Sequence, residues 1–165
     1  MKKVKLIFVW AIILASCICF SSCEKDDDVI NSNIIGSWIF KSANLQELTF
    51  DSQVSSSVRQ QIQQQVSSLI SNQFNMMIGT IWTFDNKGQV VITGPNGEDP
   101  DTASYTVNGN KLKISQDGTV AFSGEYDVVG NVLYYDIDVL SMDGGTQLTS
   151  YGVTSLTIRF NLTKK

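Results

Sequence analysis

Alternation of apolar and polar residues from Ile34 onward predicts an all-β domain. Its expected form is an eight-stranded up-and-down antiparallel barrel with one amphipathic helix inserted between strands one and two. Three observations carry this expectation. Apolar residues fall two apart in every candidate strand. Turn sequences rich in Gly, Asn and Asp separate the strands at short, regular intervals. One stretch alone, residues 52–78, changes to a spacing of three or four.

Ile35–Ser42 is the first strand, with Trp38 and Phe40 on one face. Val54, Val58, Ile62, Val66, Leu69, Ile70, Phe74 and Met77 then follow at helical spacing. Asp51 or Ser52 suits the helix N-cap, and Gly79 suits its end. The other face is mostly Gln and Ser, with Arg59 its one charge. The turn Asp85-Asn86-Lys87-Gly88 joins a strand bearing Trp82 and Phe84 to one bearing Val90 and Ile92. Asn108-Gly109 fits a type I′ turn that sets Tyr105 opposite Leu112 and Ala103 opposite Ile114. After a short turn at Ser115–Gly118, Thr119–Val129 and Val132–Leu140 form the clearest hairpin, around Gly130-Asn131 as a type II′ turn. It pairs Val128 with Leu133, Tyr126 with Tyr135, Gly124 with Ile137 and Phe122 with Val139. A slip of one residue would turn these apolar residues outward, so the register is strongly specified. Val153–Leu162 closes the set, with Leu156, Ile158, Phe160 and Leu162 on one face.

Counting ends, the three tight hairpins lie at one end of such a barrel. The helix, the Thr93–Asp101 loop and the Ser141–Ser150 loop lie at the other. The expected molecule has a closed base and a mouth partly covered by the helix. Nine rings point inward in this register: Trp38, Phe40, Trp82, Phe84, Tyr105, Phe122, Tyr126, Tyr135 and Phe160. Eight strands enclose room for side chains or for one small ligand, and nine rings would take much of it.

The N-terminus has a different character. Lys2, Lys3 and Lys5 precede an apolar run from Leu6 to Phe20, then Ser21-Ser22-Cys23 and Glu24-Lys25-Asp26-Asp27-Asp28. This is the order of a secretory signal. The apolar run is short for a membrane span, which needs about 20 residues. A cysteine after small residues resembles the lipobox of bacterial lipoproteins, in which that cysteine becomes the acylated first residue. Leu14-Ala15-Ser16-Cys17 matches the usual pattern better. Cys23 is favoured because cleavage there keeps a full apolar body and removes the thiols of Cys17 and Cys19. The expected organisation is a signal over 1–22, lipidated Cys23 with an acidic tether over 23–33, and a barrel over 34–165. The tether also resembles the Lys-plus-acidic export tag of some surface lipoproteins; a solvated linker explains it equally.

Composition narrows the function. Loss of the three signal lysines leaves nine basic against 16 acidic residues, a mature charge near −7. Nucleic acid and anionic membrane surfaces are then poor partners, because both call for a basic footprint. The chain has no histidine, and its three cysteines all lie at or before residue 23. No imidazole base, thiol nucleophile or Cys/His metal site is available to the domain. Within residues 34–165 no G-x-S-x-G, S-x-x-K or G-x-G-x-x-G occurs. An enzyme is not expected, nor a cofactor or a bound metal.

Gly36-Ser37-Trp38 on the first strand looks like the G-x-W signature of lipocalins. With the strand count and the hairpin-rich base, residues 34–163 resemble the lipocalin-like domains of Gram-negative outer-membrane lipoproteins. The resemblance implies that Trp38 closes the barrel base beneath a basic residue of the last strand. Arg159, the only Arg beyond the helix, is given that place, with a cation–π contact. The helix between strands one and two departs from the usual lipocalin order. The implied function is binding of a small apolar ligand at the helix-covered mouth, lined by Phe40, Trp82, Ile92, Phe122 and Met77. The alternative is a structural or protein-interaction module with a filled barrel; no protein partner is indicated.

Other motifs favour plain readings. Glu125, Asp127, Asp136 and Asp138 could attract calcium, but a strand lacks the loop geometry such sites use, and a solvated outer face is expected. Glu98, Asp99 and Asp101 suit a polar turn near Pro95 and Pro100. Asp101-Thr102-Ala103 resembles an O-glycosylation acceptor of exported bacterial proteins, but three residues are a weak match and a strand start is the favoured reading. Asn161-Leu162-Thr163 matches N-x-T, which is uninformative after a bacterial signal. Met76-Met77 suits a binding lip, though such a pair is more often core.

Overall fold

A computed structural model describes residues 33–96, 100–142 and 145–165. The signal, Cys23, the acidic tether, Glu98 and Asp99 lie outside the described residues. Eight antiparallel strands close in sequence order: β1 Gly36–Phe50, β2 Ile81–Phe84, β3 Gln89–Thr93, β4 Asp101–Asn108, β5 Lys111–Gln116, β6 Thr119–Val129, β7 Val132–Asp138 and β8 Val153–Lys164. β1 completes the ring by pairing with both β2 and β8. The helix falls between β1 and β2, as expected.

The inward faces follow from the alternation. β8 shows it most fully: Leu156, Ile158, Phe160 and Leu162 are all buried. β6 and β7 pair Val128 with Leu133, Tyr126 with Tyr135 and Gly124 with Ile137. Gly124 is required there, because a Cβ would stand 1.9 Å from the Asp136 carbonyl oxygen. The expected Phe122–Val139 pair does not form. β7 ends at Asp138, whose carboxylate accepts from the Leu140 N–H and turns the chain into a 3-10 turn over Val139–Ser141.

The β4–β5 register also differs from expectation. Tyr105 pairs with Ile114 and Val107 with Leu112, so the turn is centred on Gly109-Asn110 rather than Asn108-Gly109. Asn108-Gly109 would set Val107 opposite Asn110. The observed register gives Val107 an apolar partner on the buried face. Both registers turn the same residues inward, so the face survives although the pairs change.

β1 runs eight residues beyond its expected end. Bulges next to Phe40, with Lys41 as the extra residue, and next to Leu45, with Gln46, shift its alternation twice. The inward set passes from Trp38 and Phe40 to Ala43, then to Leu48 and Phe50, while Leu45, opposite Ile158, is 41% exposed. From Ser42 to Phe50, β1 has β8 on one side and no strand on the other.

α1 spans Ser56–Asn72 and continues into a 3-10 turn over Phe74–Met77. Its N-cap is Ser55, which accepts from the Val58 N–H. Neither Asp51 nor Ser52 takes that place. Asp51 instead accepts from the Gln53 N–H in the preceding turn. Arg59 reaches back to the carbonyls of Val54 and Asp51 and fastens that turn to the helix. Ile62, Val66, Phe74 and Met77 are buried, and Val58, Leu69 and Ile70 pack beside them. α1 itself stops at Asn72; Gly79, at φ +87, follows the 3-10 turn and leads the chain to β2.

Candidate functional site

The base is built around Trp38. Its indole N–H donates to the Ile34 carbonyl at 2.7 Å, and both residues are fully buried. Gly36, at φ +128, turns the chain into β1 beneath the Lys164 side chain. Lys164 Nζ lies 5.5 Å from the centre of the Trp38 ring. The basic residue over the signature tryptophan is therefore Lys164, not Arg159. Strand parity explains this. Lys164 continues the inward series of Leu156, Ile158, Phe160 and Leu162, whereas Arg159 points outward. Tyr105 adds to the base by donating from its hydroxyl to the Asp85 carbonyl. Burial pushes the Tyr105 phenol above its ordinary pKa, helped by Asp85 and Tyr126. Tyr135 donates to the Leu112 carbonyl inside the barrel, and burial pushes its phenol far up.

The interior holds the expected rings. Phe160 is their hub. Its centroid lies 5.0 Å from Phe40, 5.0 Å from Phe74 and 5.7 Å from Phe122, in edge-on contacts. Trp82 stacks near Phe40 and tilts against Phe122 at 5.8 Å. Of the expected ligand-lining residues, Trp82 thus contacts both Phe40 and Phe122. Met77 is buried under the helix end, and Ile92 and Phe122 are half-buried near the mouth. Met76 is 69% exposed, so the methionine pair divides between core and surface. Phe74 was not among the expected lining residues. It carries the helix into the barrel by packing on Phe160, and its place on the helical stripe signalled this.

Among the described residues, two surface concavities stand out, both outside the barrel. One, of about 450 Å³, is on the β6–β8 wall beside Asn110, Glu125, Tyr134, Asp136 and Arg159. The other follows Gln60, Gln64 and Ser67 on the outer face of α1. On the wall, Arg159 grips Asp136 with two bonds of 2.6 Å and lies 5.5 Å over the Tyr134 ring. The hydrogen bond to Asp136 raises the Arg159 pKa further. Glu125 stands directly opposite Asp136, and the guanidinium offsets that like-charge pair. Among the described residues, no three acidic side chains converge as a metal site.

These features define a closed, eight-stranded up-and-down barrel, an architecture consistent with a lipocalin-like fold. No protein-family model matches the chain, and no curated protein matches it.

Proposed function

We propose that this chain is an outer-membrane lipoprotein, anchored through Cys23, whose lipocalin-like barrel serves as an interaction or structural module of the cell envelope and not as an enzyme. The supporting observation is the interior: Phe160 touches Phe40, Phe74, Phe122, Trp82 and Tyr135. A ring in contact with five others leaves its surroundings occupied by protein. The outer surface is then the part that meets other molecules, on the periplasmic side or at the cell surface. A second reading, a small apolar ligand under the helix, is favoured by Ile92 and Phe122, which stay half-buried at the mouth. Titration of an environment-sensitive apolar dye into the folded Cys23→Ala protein separates the two. The filled barrel gives no saturable binding. Stoichiometric uptake, weakened by Met77→Glu without matching loss of stability, would establish the second reading.

A further inference from the structure

The two ends of the barrel differ in charge as well as in shape. The base rim is formed by the β2–β3, β4–β5 and β6–β7 turns and by the last residues of β8. It carries Lys87, Lys111, Lys164 and Lys165, all exposed. Its acids are fewer. Asp85 is bonded to backbone N–H groups within its own turn, Asp127 stands on the wall just above the rim, and Glu125 stands directly opposite Lys111. The mouth end carries Glu47, Asp51, Asp101, Asp117 and Asp138, against Arg59 and, lower on β1, Lys41. The β6–β7 turn also presents Val129, 57% exposed, at the basic end.

The described chain begins at this same end. Asn33 and Ile34 lie beside Trp38, and Lys165 N–H donates to the Ser37 carbonyl nearby. Nine residues lie between Cys23 and Asn33, ten steps along the chain. Fully extended they reach at most about 35 Å. β8 has 12 residues, so at the usual strand tilt the mouth stands about 30 Å above the base. The tether alone would thus let the barrel stand or lie on its side. Charge selects between these poses within a Debye length of the surface, about 8–10 Å.

We infer that the barrel stands base-down on an anionic lipid headgroup layer, with its lysine rim and Val129 against the membrane and its acidic, helix-covered mouth facing away. This inference rests on the anchor reading above. It reconciles a net acidic chain with a membrane partner, because the cations gather where the lipid is.

The test uses the mature, lipidated protein in vesicles bearing a headgroup-borne quencher. A fluorophore is placed at the base on Asn131→Cys or at the mouth on Ser150→Cys. In vesicles containing anionic lipid, the base label should be quenched several-fold more than the mouth label. The contrast should shrink at high salt, in purely zwitterionic vesicles, and in the Lys87→Glu, Lys111→Glu double variant. Equal quenching of the two labels, or a contrast indifferent to salt and lipid charge, would overturn the orientation while leaving the anchor intact. A protein that fails to partition into any vesicle would overturn the anchor, and the orientation with it. The salt and lipid arms decide the matter even where the double variant does not fold.

Discussion

Replacing Phe160 by Ala removes the ring on which the interior converges. Truncation of a buried Phe costs about 3–5 kcal/mol through lost transfer energy and the cavity left behind. Phe160 is fully buried and contacts five rings, with Phe40 and Phe74 both at 5.0 Å. Favourable aromatic pairs contribute about 0.5–1.5 kcal/mol each beyond area burial. The expected cost therefore sits at the upper end, near 5 kcal/mol, a large share of the about 5–15 kcal/mol that stabilises a typical domain. Urea denaturation of the Cys23→Ala protein with and without Phe160→Ala measures it. Phe160→Leu serves as a milder variant if the first does not fold. The same deletion opens a dry apolar cavity, the kind of space that accepts small aromatic molecules. A folded variant should gain stability in the presence of benzene-sized ligands, while its parent should not. A loss below about 1.5 kcal/mol would show that the rings are not close-packed. A parent already stabilised by such ligands would show that the barrel is not filled.

Three further outcomes are expected. Cys23→Ala should release the protein from the membrane fraction, whereas release by Cys17→Ala alone would move the cleavage site. Lys164→Ala should cost about 0.5–1 kcal/mol through its contact with Trp38. Arg159→Ala should cost about 1 kcal/mol through the half-exposed pair with Asp136, and a double-mutant cycle with Trp38→Phe should couple Lys164 and not Arg159. Folding raises the phenol pKa values of Tyr105 and Tyr135. The stability this represents is present below the ordinary tyrosine value of about 10 and is lost as pH rises above it, because the unfolded chain ionises first. Tyr135→Phe should flatten that alkaline decline; an unchanged decline would exclude Tyr135 as its source.

Much of the architecture was legible because unbroken alternation encodes a face directly. Val153–Leu162 and the β6–β7 hairpin show this: each presents apolar residues two apart over a long run. What alternation does not encode is the partner. Asn108-Gly109 and Gly109-Asn110 overlap, and both keep Tyr105, Val107, Leu112 and Ile114 inward. Only the match of Val107 to Leu112 separates them. β1 was read short because its bulges at Lys41 and Gln46 reset the parity twice, so Ala43-Asn44-Leu45 and Leu48-Thr49-Phe50 do not look like a continuation of Trp38 and Phe40. The helix cap lies three or four residues beyond the expected Ser52 or Asp51, at Ser55. Asp51 serves the turn before the helix, leaving Ser55 for the helix itself. At the base, Lys164 could have been found by carrying β8's own parity two residues past Leu162. Assigning the role to the only arginine of the region missed it.

The pairing of β1 with β8 has a consequence for how the molecule comes into being. It is the longest ladder in the barrel, and it joins residues more than a hundred positions apart in the chain. Contacts so distant in sequence bring loop-closure cost before reward and make folding slow. No ring of strands can close until Val153–Lys164 has emerged. Until then β1 can pair with β2 over Gly36–Ile39 only, and its β8 edge stays open with Phe40 still without Leu162. A chain threaded N-terminus first is thus kept from sealing prematurely by the order of its own strands. For as long as it waits, that unpaired edge is an aggregation hazard.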